Sequence, residues 1–246
     1  CFGLGVNDSL KFFGTTRGLE EKFGSERVFE TPTSENAMTG IGIGMSLYKN
    51  PCVMLHQRLD FFLLAMDQLV NSAAKWHYMF GGQKSVPITI RLIVGKGWGQ
   101  GPTHSQSLQS WFAHIPGLKV VMPALPSDAY SLLKASIRDP NPVIFIEHRW
   151  LHGVEEEKFK IKPIKSKVTS ELLSKGKHFT AVTYSLSTIE MLAIKDILNK
   201  KNISFDLIDL KSIKPLDLKL VEKSVKETKK LLILDTISHP ICSIGS

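Results

Sequence analysis

A single glutamate stands where the sequence changes from a proline-containing loop to an apolar segment. Residues 31–36 read TPTSEN, and a glycine-spaced apolar run from Ala37 to Met45 follows directly. This pattern predicts a buried helix with Glu35 in its first turn. Burial disfavours the charged form of a carboxyl group, and such an acid can exchange a proton with a bound heterocycle. A Ser-Glu pair at a helix start is also an ordinary cap, so both interpretations are open here.

A histidine follows a glycine-rich loop. Residues 95–106 read GKGWGQGPTHSQ and lie between a predicted strand and a predicted helix. Its four alternate glycines permit positive φ angles, but their spacing matches neither a dinucleotide fingerprint nor a P-loop. The loop brings His104 to the carboxyl end of a strand, where open α/β sheets bind ligands. A capping or core histidine is the other interpretation, and the remaining seven histidines show no ligand spacing.

Composition limits the class of protein. The 246 residues are 43% hydrophobic, with a mean hydropathy near zero, which predicts a globular chain of one large domain or two. No apolar run reaches the roughly 20 residues of a membrane helix, and no signal peptide is recognised. The three cysteines are far apart, so no disulfide framework or zinc site is expected. A cytoplasmic setting is expected, or the mitochondrial matrix in a eukaryote.

The formal charge of +8 comes from one part of the chain. Residues 158–246 hold 17 lysines against 9 acidic residues, whereas residues 1–157 hold 14 basic and 14 acidic residues. The lysines are spread out, without arginine or interleaved aromatic residues. We therefore expect a solvated lysine-rich surface and no nucleic-acid site.

The order of elements predicts a parallel sheet with helices on both faces, followed by a second α/β unit. The expected domains are 1–154 and 178–246, joined by a linker at 155–177, and both chain ends are expected to be incomplete. The predicted strands are Cys52–His56, Ile88–Val94, Lys119–Met122, Val143–Glu147, Phe179–Tyr184, Ile203–Leu210 and Leu231–Asp235. The predicted helices are Asn36–Tyr48, Asp60–Met79, Ser105–Ala113, Ser127–Arg138 with Ser127 as N-cap, Ser187–Lys200 and Asp217–Glu227.

The predicted helix Asp60–Met79 is apolar on most of its sides. Its polar stripe is narrow, so most of its surface must be covered by other parts of a protein. A subunit interface or a cofactor cleft would cover it, and so would a central position in the core.

Several segments together resemble a known family. They include RVFETPTSENAMTGIGIGMS, DFFLLAMDQLVNSAAKWHYMFGGQKSVPITIR and GPTHSQSLQSWFAHIPGLKVVMPALPSDAY. They are similar to the β subunit of 2-oxo acid dehydrogenases of the pyruvate and branched-chain type, within the transketolase superfamily. The resemblance runs nearly collinearly from about Arg17 to the end. It implies a three-layer αβα pyrimidine-binding domain followed by a truncated transketolase C-terminal α/β domain.

The resemblance also implies roles for individual residues. Glu35 matches the glutamate that hydrogen-bonds the aminopyrimidine ring of thiamine diphosphate, and Phe61 matches the aromatic residue on the face of that ring. Thr33 matches a cofactor-contacting position that is usually aliphatic. His104 matches the active-site histidine that handles protons during acyl transfer. A structural potassium ion in some members is held at the positions of Ile88, Ser136, Ile137, Asp139 and Asn141, for which plain helix termination is the alternative.

Half of the implied cofactor site is missing from this sequence. It has no Gly-Asp-Gly followed at the family's spacing by asparagine, the element that holds diphosphate and Mg²⁺. In two-chain members this element is on an α subunit, so an α2β2 heterotetramer is implied. The resemblance further implies oxidative decarboxylation of a 2-oxo acid with acyl transfer to the lipoyl group of an acyltransferase core. No nucleic acid or membrane is expected as a partner.

Two departures from the family leave alternatives open. The usual Gly-Glu-Asp-Val is replaced by residues 3–6, Gly-Leu-Gly-Val, and Arg58 stands where an apolar residue is usual. Arg58 is interpreted either as part of a surface ion pair or as a group that binds a carboxylate or phosphate. The departures favour two alternatives to the dehydrogenase. One is a two-chain transketolase-like enzyme that transfers an activated aldehyde to a carbonyl acceptor, and the other is a non-catalytic structural β partner.

Overall fold

The structure, a computed structural model, describes residues 1–48, 51–156, 168–237 and 243–245. Within these residues the strands form two sheets. The first contains β1 (Phe2–Gly3), β2 (Phe29–Glu30), β3 (Cys52–His56), β4 (Ile88–Val94), β5 (Lys119–Val121), β6 (Val143–His148) and β10 (Ser212–Lys214). The second contains β7 (Glu171–Ser174), β8 (Phe179–Thr183), β9 (Phe205–Asp209) and β11 (Leu231–Ile233).

Parallel pairing dominates both sheets. The first has the order β10-β5-β6-β4-β3-β1-β2, and only β10 is antiparallel to its neighbour. The second has the order β11-β8-β9-β7, with β7 antiparallel to β9. Every residue of β4, at the centre of the first sheet, is buried, as expected for a parallel strand covered on both faces. The predicted α/β fold is confirmed.

Helices cover the sheets. The α-helices are α1 (Leu19–Phe23), α2 (Glu35–Leu47), α3 (Leu59–Phe62), α4 (Trp76–Met79), α5 (Gln109–His114), α6 (Pro126–Ile137), α7 (Leu186–Lys200) and α8 (Lys219–Thr228). Short 3₁₀ segments lie at Leu63–Ala65, Pro102–His104 and Arg149–Gly153, and a π-helical segment lies at Gln68–Ala73. Across the described ranges, every helix is too short or too polar to span a bilayer.

Two helix predictions were wrong in detail. The segment predicted as one α-helix, Asp60–Met79, changes to 3₁₀ and then π-helical geometry before α4. Ser127 is not the N-cap of α6, because Pro126, with its fixed φ, takes the first helical position and Leu125 the cap. The Ser127 N–H and hydroxyl instead donate to the Glu156 carboxylate at 2.9 and 3.1 Å.

The two units are joined more closely than the sequence predicted. Strand β7 lies inside the stretch 155–177 that was predicted as a linker, where residues 157–167 are outside the described part of the chain. Strand β10 follows β9 of the second sheet along the chain, yet it pairs with β5 of the first. The buried Lys211 ammonium group donates to Asp128 at 2.8 Å and also pairs with Glu171. The exact domain boundaries remain a proposal.

Helix α2 packs closely against the first sheet through Gly42. A Cβ atom at Gly42 would lie 2.9 Å from the Phe2 ring and 2.9 Å from the Ile88 Cδ1 atom, and both side chains are buried in the core. At Gly44, on the exposed side of the same helix, nothing lies within 4 Å of an added Cβ atom. Of these two glycines, packing against the sheet therefore requires only Gly42.

We expect opposite effects from the substitutions Gly42→Ala and Gly44→Ala. Alanine favours a helix over glycine by up to about 1 kcal/mol, and Gly44→Ala should gain most of that. In Gly42→Ala, overpacking of about 1–3 kcal/mol should outweigh the gain and lower the free energy of unfolding. Urea unfolding of both variants and the wild type measures the difference. Equal stabilisation by both substitutions would show that the contact at Gly42 is not tight.

Candidate active site

A pocket of about 380 Å³ opens at the carboxyl ends of β1 and β3. Ligands of open α/β sheets bind at this edge. Its wall contains three acidic residues, one arginine, one histidine and one phenylalanine. The lining residues are Leu4, Gly5, Asp8, Glu30, Thr33, Glu35, His56, Gln57, Arg58 and Phe61.

Glu35 is the first residue of α2 and is only 8% exposed. Its carbonyl accepts from the Thr39 hydroxyl at 2.8 Å, which fixes the first turn of the helix. Ser34 is the N-cap residue of α2, as the capping interpretation predicted, but its side chain makes no capping hydrogen bond. Among the described residues, none donates a hydrogen bond to the Glu35 carboxyl group. This buried group is therefore available to a ligand.

Phe61 and His104 meet at the rim of this pocket. Phe61 is 40% exposed, and its ring contacts the His104 ring edge-on, with centroids 5.0 Å apart and an interplanar angle of 84°. The His104 Nδ1 atom lies 3.2 Å from the Thr103 hydroxyl, which leaves Nε2 as the ring nitrogen without a bond to a described residue. Thr33 is exposed on the pocket wall. The structure thus brings together Thr33, Glu35, Phe61 and His104.

The loop that carries His104 is held by side chains. Asp60 in α3 accepts from the Gln106 backbone N–H at 3.2 Å and from the Gln106 side-chain amide at 2.9 Å. The Trp98 indole N–H donates to the His104 carbonyl at 3.1 Å. All four glycines from Gly95 to Gly101 have positive φ, as the alternate spacing predicted. The second unit also contributes, because the Gln109 amide donates to the Tyr184 hydroxyl at 2.9 Å.

His56 is a pocket residue that sequence reasoning missed. It ends β3 and is buried, and both its ring nitrogens lack hydrogen-bond partners among the described residues. Its ring packs edge-on against Phe62, with centroids 4.8 Å apart. Burial lowers the pKa of His56 to about 4, so its imidazole is neutral at pH 7. Its position at the carboxyl end of a buried strand was the available signal.

Arg58 lines the same pocket without an acidic partner. Its guanidinium donates to the Gln57 carbonyl and to the Gln100 side-chain oxygen, each at 2.9 Å. No carboxylate of the described residues lies within 4 Å of its nitrogen atoms. The interpretation of Arg58 as part of a surface ion pair was therefore wrong for this part of the chain.

The absence of an acid at position 5 has a steric reason. Gly5 has a φ of +81°, and an added Cβ atom would lie 2.3 Å from the Gln57 amide nitrogen. The Gly5 N–H donates to the Glu30 carboxylate at 2.6 Å, and the Asn7 N–H donates to the same group at 2.9 Å. Glu30 therefore holds this turn in a conformation that favours glycine.

The five residues of the expected potassium site lie where α6 ends and near the start of β4. Ser136 and Ile137 are in the last turn of α6, and Ile88 begins β4. The Asp139 carboxylate pairs with the Lys119 ammonium group and accepts from the Asn141 N–H at 2.9 Å. Helix termination explains these contacts without an ion, and no cluster of three metal-type side chains occurs in the part of the chain that the structure describes. The potassium site remains a proposal.

Comparisons with known proteins agree with this geometry. The family "Transketolase, pyrimidine binding domain" matches residues 12–153, and "Transketolase, C-terminal domain" matches residues 169–246. The subunit beta-2 of the mitochondrial pyruvate dehydrogenase E1 component of Oryza sativa is 40% identical over 99% of this chain and 66% of that protein. The beta subunit of an acetoin:2,6-dichlorophenolindophenol oxidoreductase of Cupriavidus necator is 39% identical over 95% of this chain and 68% of that protein.

A solved structure shows the same fold. A split-gene transketolase, described as an inactive β4 tetramer, aligns with a TM-score of 0.78 at 20% identity, over 96% of this chain and 73% of that chain. The chain spans about two thirds of the length of the curated relatives named above.

The fold and the pocket define a transketolase-type pyrimidine-binding domain with a transketolase C-terminal domain, a class that implies thiamine diphosphate. Within that class, the chain belongs to the family of β subunits that includes those of pyruvate dehydrogenase E1 and of the acetoin oxidoreductase.

The lowered pKa of His56 predicts an acid-dependent loss of stability. The pKa is about 4 in the folded chain and about 6.5 in an unfolded one. The unfolded state therefore binds one more proton between these values, and the free energy of unfolding falls as pH decreases from about 6.5 to about 4. The contribution of His56 is roughly 1 kcal/mol per pH unit in this window.

The variant His56→Asn isolates this contribution, because asparagine does not titrate. Urea unfolding at several pH values between 7 and 4.5 should show a shallower acid slope in the variant. Burial raises the pKa of both Asp209 and Glu147, which act in the opposite direction, so the comparison is between variant and wild type at each pH. Identical slopes would show that His56 does not titrate in this way.

Proposed function

We propose that this chain is the β subunit of a thiamine diphosphate-dependent 2-oxo acid dehydrogenase, active only with an α subunit. One observation carries the proposal. A buried carboxyl group without a donor among the described residues, Glu35, lines a pocket whose rim is formed by Phe61, in a chain 40% identical to a pyruvate dehydrogenase E1 β subunit. The reaction is oxidative decarboxylation of a 2-oxo acid, with transfer of the acyl group to a lipoyl group.

The pocket residues fit an aminopyrimidine ring. The Phe61 side chain is 40% exposed, and the volume of about 380 Å³ accommodates a substituted heterocycle. The free Glu35 carboxyl group is complementary to a ring nitrogen, and the hydrophobic Leu4 covers part of the wall. Thiamine diphosphate, when bound, supplies a thiazolium carbon that acts as an electron sink for decarboxylation.

The residues of this chain would bind, orient and exchange protons. Glu35 hydrogen-bonds the ring nitrogen and exchanges a proton with it, and its low exposure keeps competing water away. Phe61 packs on the ring and fixes its plane. His104 presents Nε2 at the rim, where it holds or accepts a proton of the reacting substrate or acyl acceptor. The edge-on contact between Phe61 and His104 keeps these two functions at a fixed separation.

An α subunit would supply the residues that hold diphosphate and Mg²⁺, in an α2β2 heterotetramer. The surface around α3 and α4 supports a subunit interface, because large apolar side chains are exposed there. The exposed fractions are 66% for Leu64, 88% for Tyr78, 55% for Met79 and 49% for Phe80. This surface favours the interface interpretation of the apolar segment 60–79 over a position entirely inside the core.

A second candidate function is favoured by the unpaired Arg58. A two-chain transketolase-like enzyme would transfer an activated aldehyde to a carbonyl acceptor, and a cation at the pocket wall suits an anionic acceptor. Acyl transfer to lipoyl groups with the cognate α chain supports the first function. Carbon–carbon bond formation without lipoyl groups supports the second.

The substitution Glu35→Gln should abolish most activity. Glutamine keeps the size of the side chain but cannot exchange the proton, and loss of general acid–base catalysis lowers rates by about 10²–10⁴-fold. The measurement is release of carbon dioxide from pyruvate by the assembly with the cognate α chain. Glu190→Gln, an exposed glutamate in α7, is the matched control and should be fully active.

The melting temperature of the Glu35→Gln chain should equal that of the wild type, because glutamine keeps the size and polarity of the side chain. Cofactor affinity, measured by calorimetry, should fall in this variant and stay unchanged in Glu190→Gln. Unaltered turnover in Glu35→Gln would reject both catalytic functions and leave the non-catalytic structural β partner.

A further inference from the structure

Two arginines converge on one aromatic ring beside the pocket. The Arg58 guanidinium carbon lies 5.3 Å from the centroid of the Phe13 ring, and that of Arg149 lies 4.6 Å from the same centroid. Arg58 also lies over the Trp98 ring, at 4.8 Å from its centroid. We call Arg58 and Arg149 the arginine pair. The aromatic contacts hold the Arg58 guanidinium in a fixed position.

The charges of the arginine pair have no close acidic compensation. Within the described ranges, neither guanidinium has a carboxylate within 4 Å. Burial is the main cause that lowers the pKa of Arg58; the charge of Asp60 raises this pKa, and the charge of Arg149 lowers it. Two like charges beside one ring repel each other, and an anion that contacts both guanidinium groups would offset that repulsion.

The neighbouring acids are occupied elsewhere. Asp60 accepts two hydrogen bonds from Gln106, and Asp8 accepts one from the Gln57 side chain at 2.8 Å. Glu30 holds the turn at residues 5–7. Two Arg58 donors are used by neutral oxygens, and its buried Nε–H has no partner among the described residues. The Arg58 guanidinium is thus held in place, but one of its buried N–H donors has no hydrogen-bond partner among the described residues.

The arginine pair lies beside the Glu35 pocket, since Arg58 lines its wall. A fixed cation on the carboxylate that leaves as carbon dioxide would stabilise the ground state and raise the barrier to decarboxylation. The pair is better suited to an anionic group that does not react. Arginine forks match the oxygen geometry of carboxylates and phosphates.

We propose that the arginine pair binds a second anionic group, a phosphate or a carboxylate, on the 2-oxo acid or on the acceptor of its activated fragment. This inference rests on the proposed function, because that function makes the Glu35 pocket the reaction centre. It defines the substrate class as one with a negative charge remote from the reacting carbonyl. Neutral side chains on the substrate would leave the pair uncompensated.

The test measures binding of inorganic phosphate and of succinate to the full chain by titration calorimetry, without cofactor or turnover. Arg58→Gln and Arg149→Gln should each raise the dissociation constant of the preferred anion about tenfold or more, because each removes a charge-assisted contact. Arg138→Gln is the matched control. Arg138 is exposed at the end of α6, near the amino end of β6, whereas the pocket lies at the carboxyl ends of the strands. Its replacement should change the dissociation constant less than about twofold.

The two anions distinguish the sources of the negative charge. Tighter binding of phosphate identifies a phosphorylated compound, and tighter binding of succinate identifies a second carboxylate. Arg58→Lys, which keeps the charge, should retain more affinity than Arg58→Gln, and melting temperatures check that each variant is folded.

Three results would overturn the inference: neither anion binds the wild type, Arg138→Gln weakens binding as much as the other variants, or Arg58→Lys loses as much affinity as Arg58→Gln. Failure of this test leaves the role of Glu35 intact, because the assay uses no cofactor. Conversely, an active Glu35→Gln variant would reject the proposed reaction and leave the anion site standing.

Discussion

The buried carboxyl group of Glu35 is the constraint on which the rest of the site depends. Glu35 is only 8% exposed, and no described residue donates a hydrogen bond to its carboxyl group, which lines the pocket. Helix α2, which begins at Glu35, is seated tightly on the sheet, because an added Cβ atom at Gly42 would lie 2.9 Å from both Phe2 and Ile88. A ligand that donates to the carboxyl group would supply the hydrogen bond that no described residue makes.

Charges of both signs line the pocket. Glu35 and Arg58 are both lining residues, and Arg58 also lies over the Trp98 ring of the glycine-rich loop. The acids that could neutralise the arginines are instead used to fix loops, as the contact of Asp60 with Gln106 shows. In the proposed function, this arrangement would place a proton-exchanging group and an anion-attracting group around one cavity.

The second unit helps to hold the site although it contributes none of the pocket residues. Strand β10 extends the first sheet, and the buried Lys211 pairs with Asp128 across the two units. The Tyr184 hydroxyl accepts from Gln109 in α5, directly after the loop that carries His104. The position of that loop therefore depends on contacts from both units. This explains why the two units are packed together and not merely linked.

The sequence by itself determined the fold class, the central strands and the residues Thr33, Glu35, Phe61 and His104 as a set. Strand periodicity and the family resemblance gave β3 and β4 at their observed limits, because buried parallel strands are continuous apolar runs with clear ends. The glycine-rich loop was also predictable, since alternate glycines permit the positive φ angles that it adopts.

Only the tertiary structure decided which polar groups share the pocket and which of them are left without partners. His56 ends β3, whereas Arg149 begins the 3₁₀ segment after β6, far along the sequence, and β10 takes its place in the sheet by a long-range pairing. No local sequence pattern predicts these long-range contacts. They follow from the order of strands in the sheet, which brings the ends of β3, β4 and β6 together, and from burial, which acts on a residue only once its neighbours are in place.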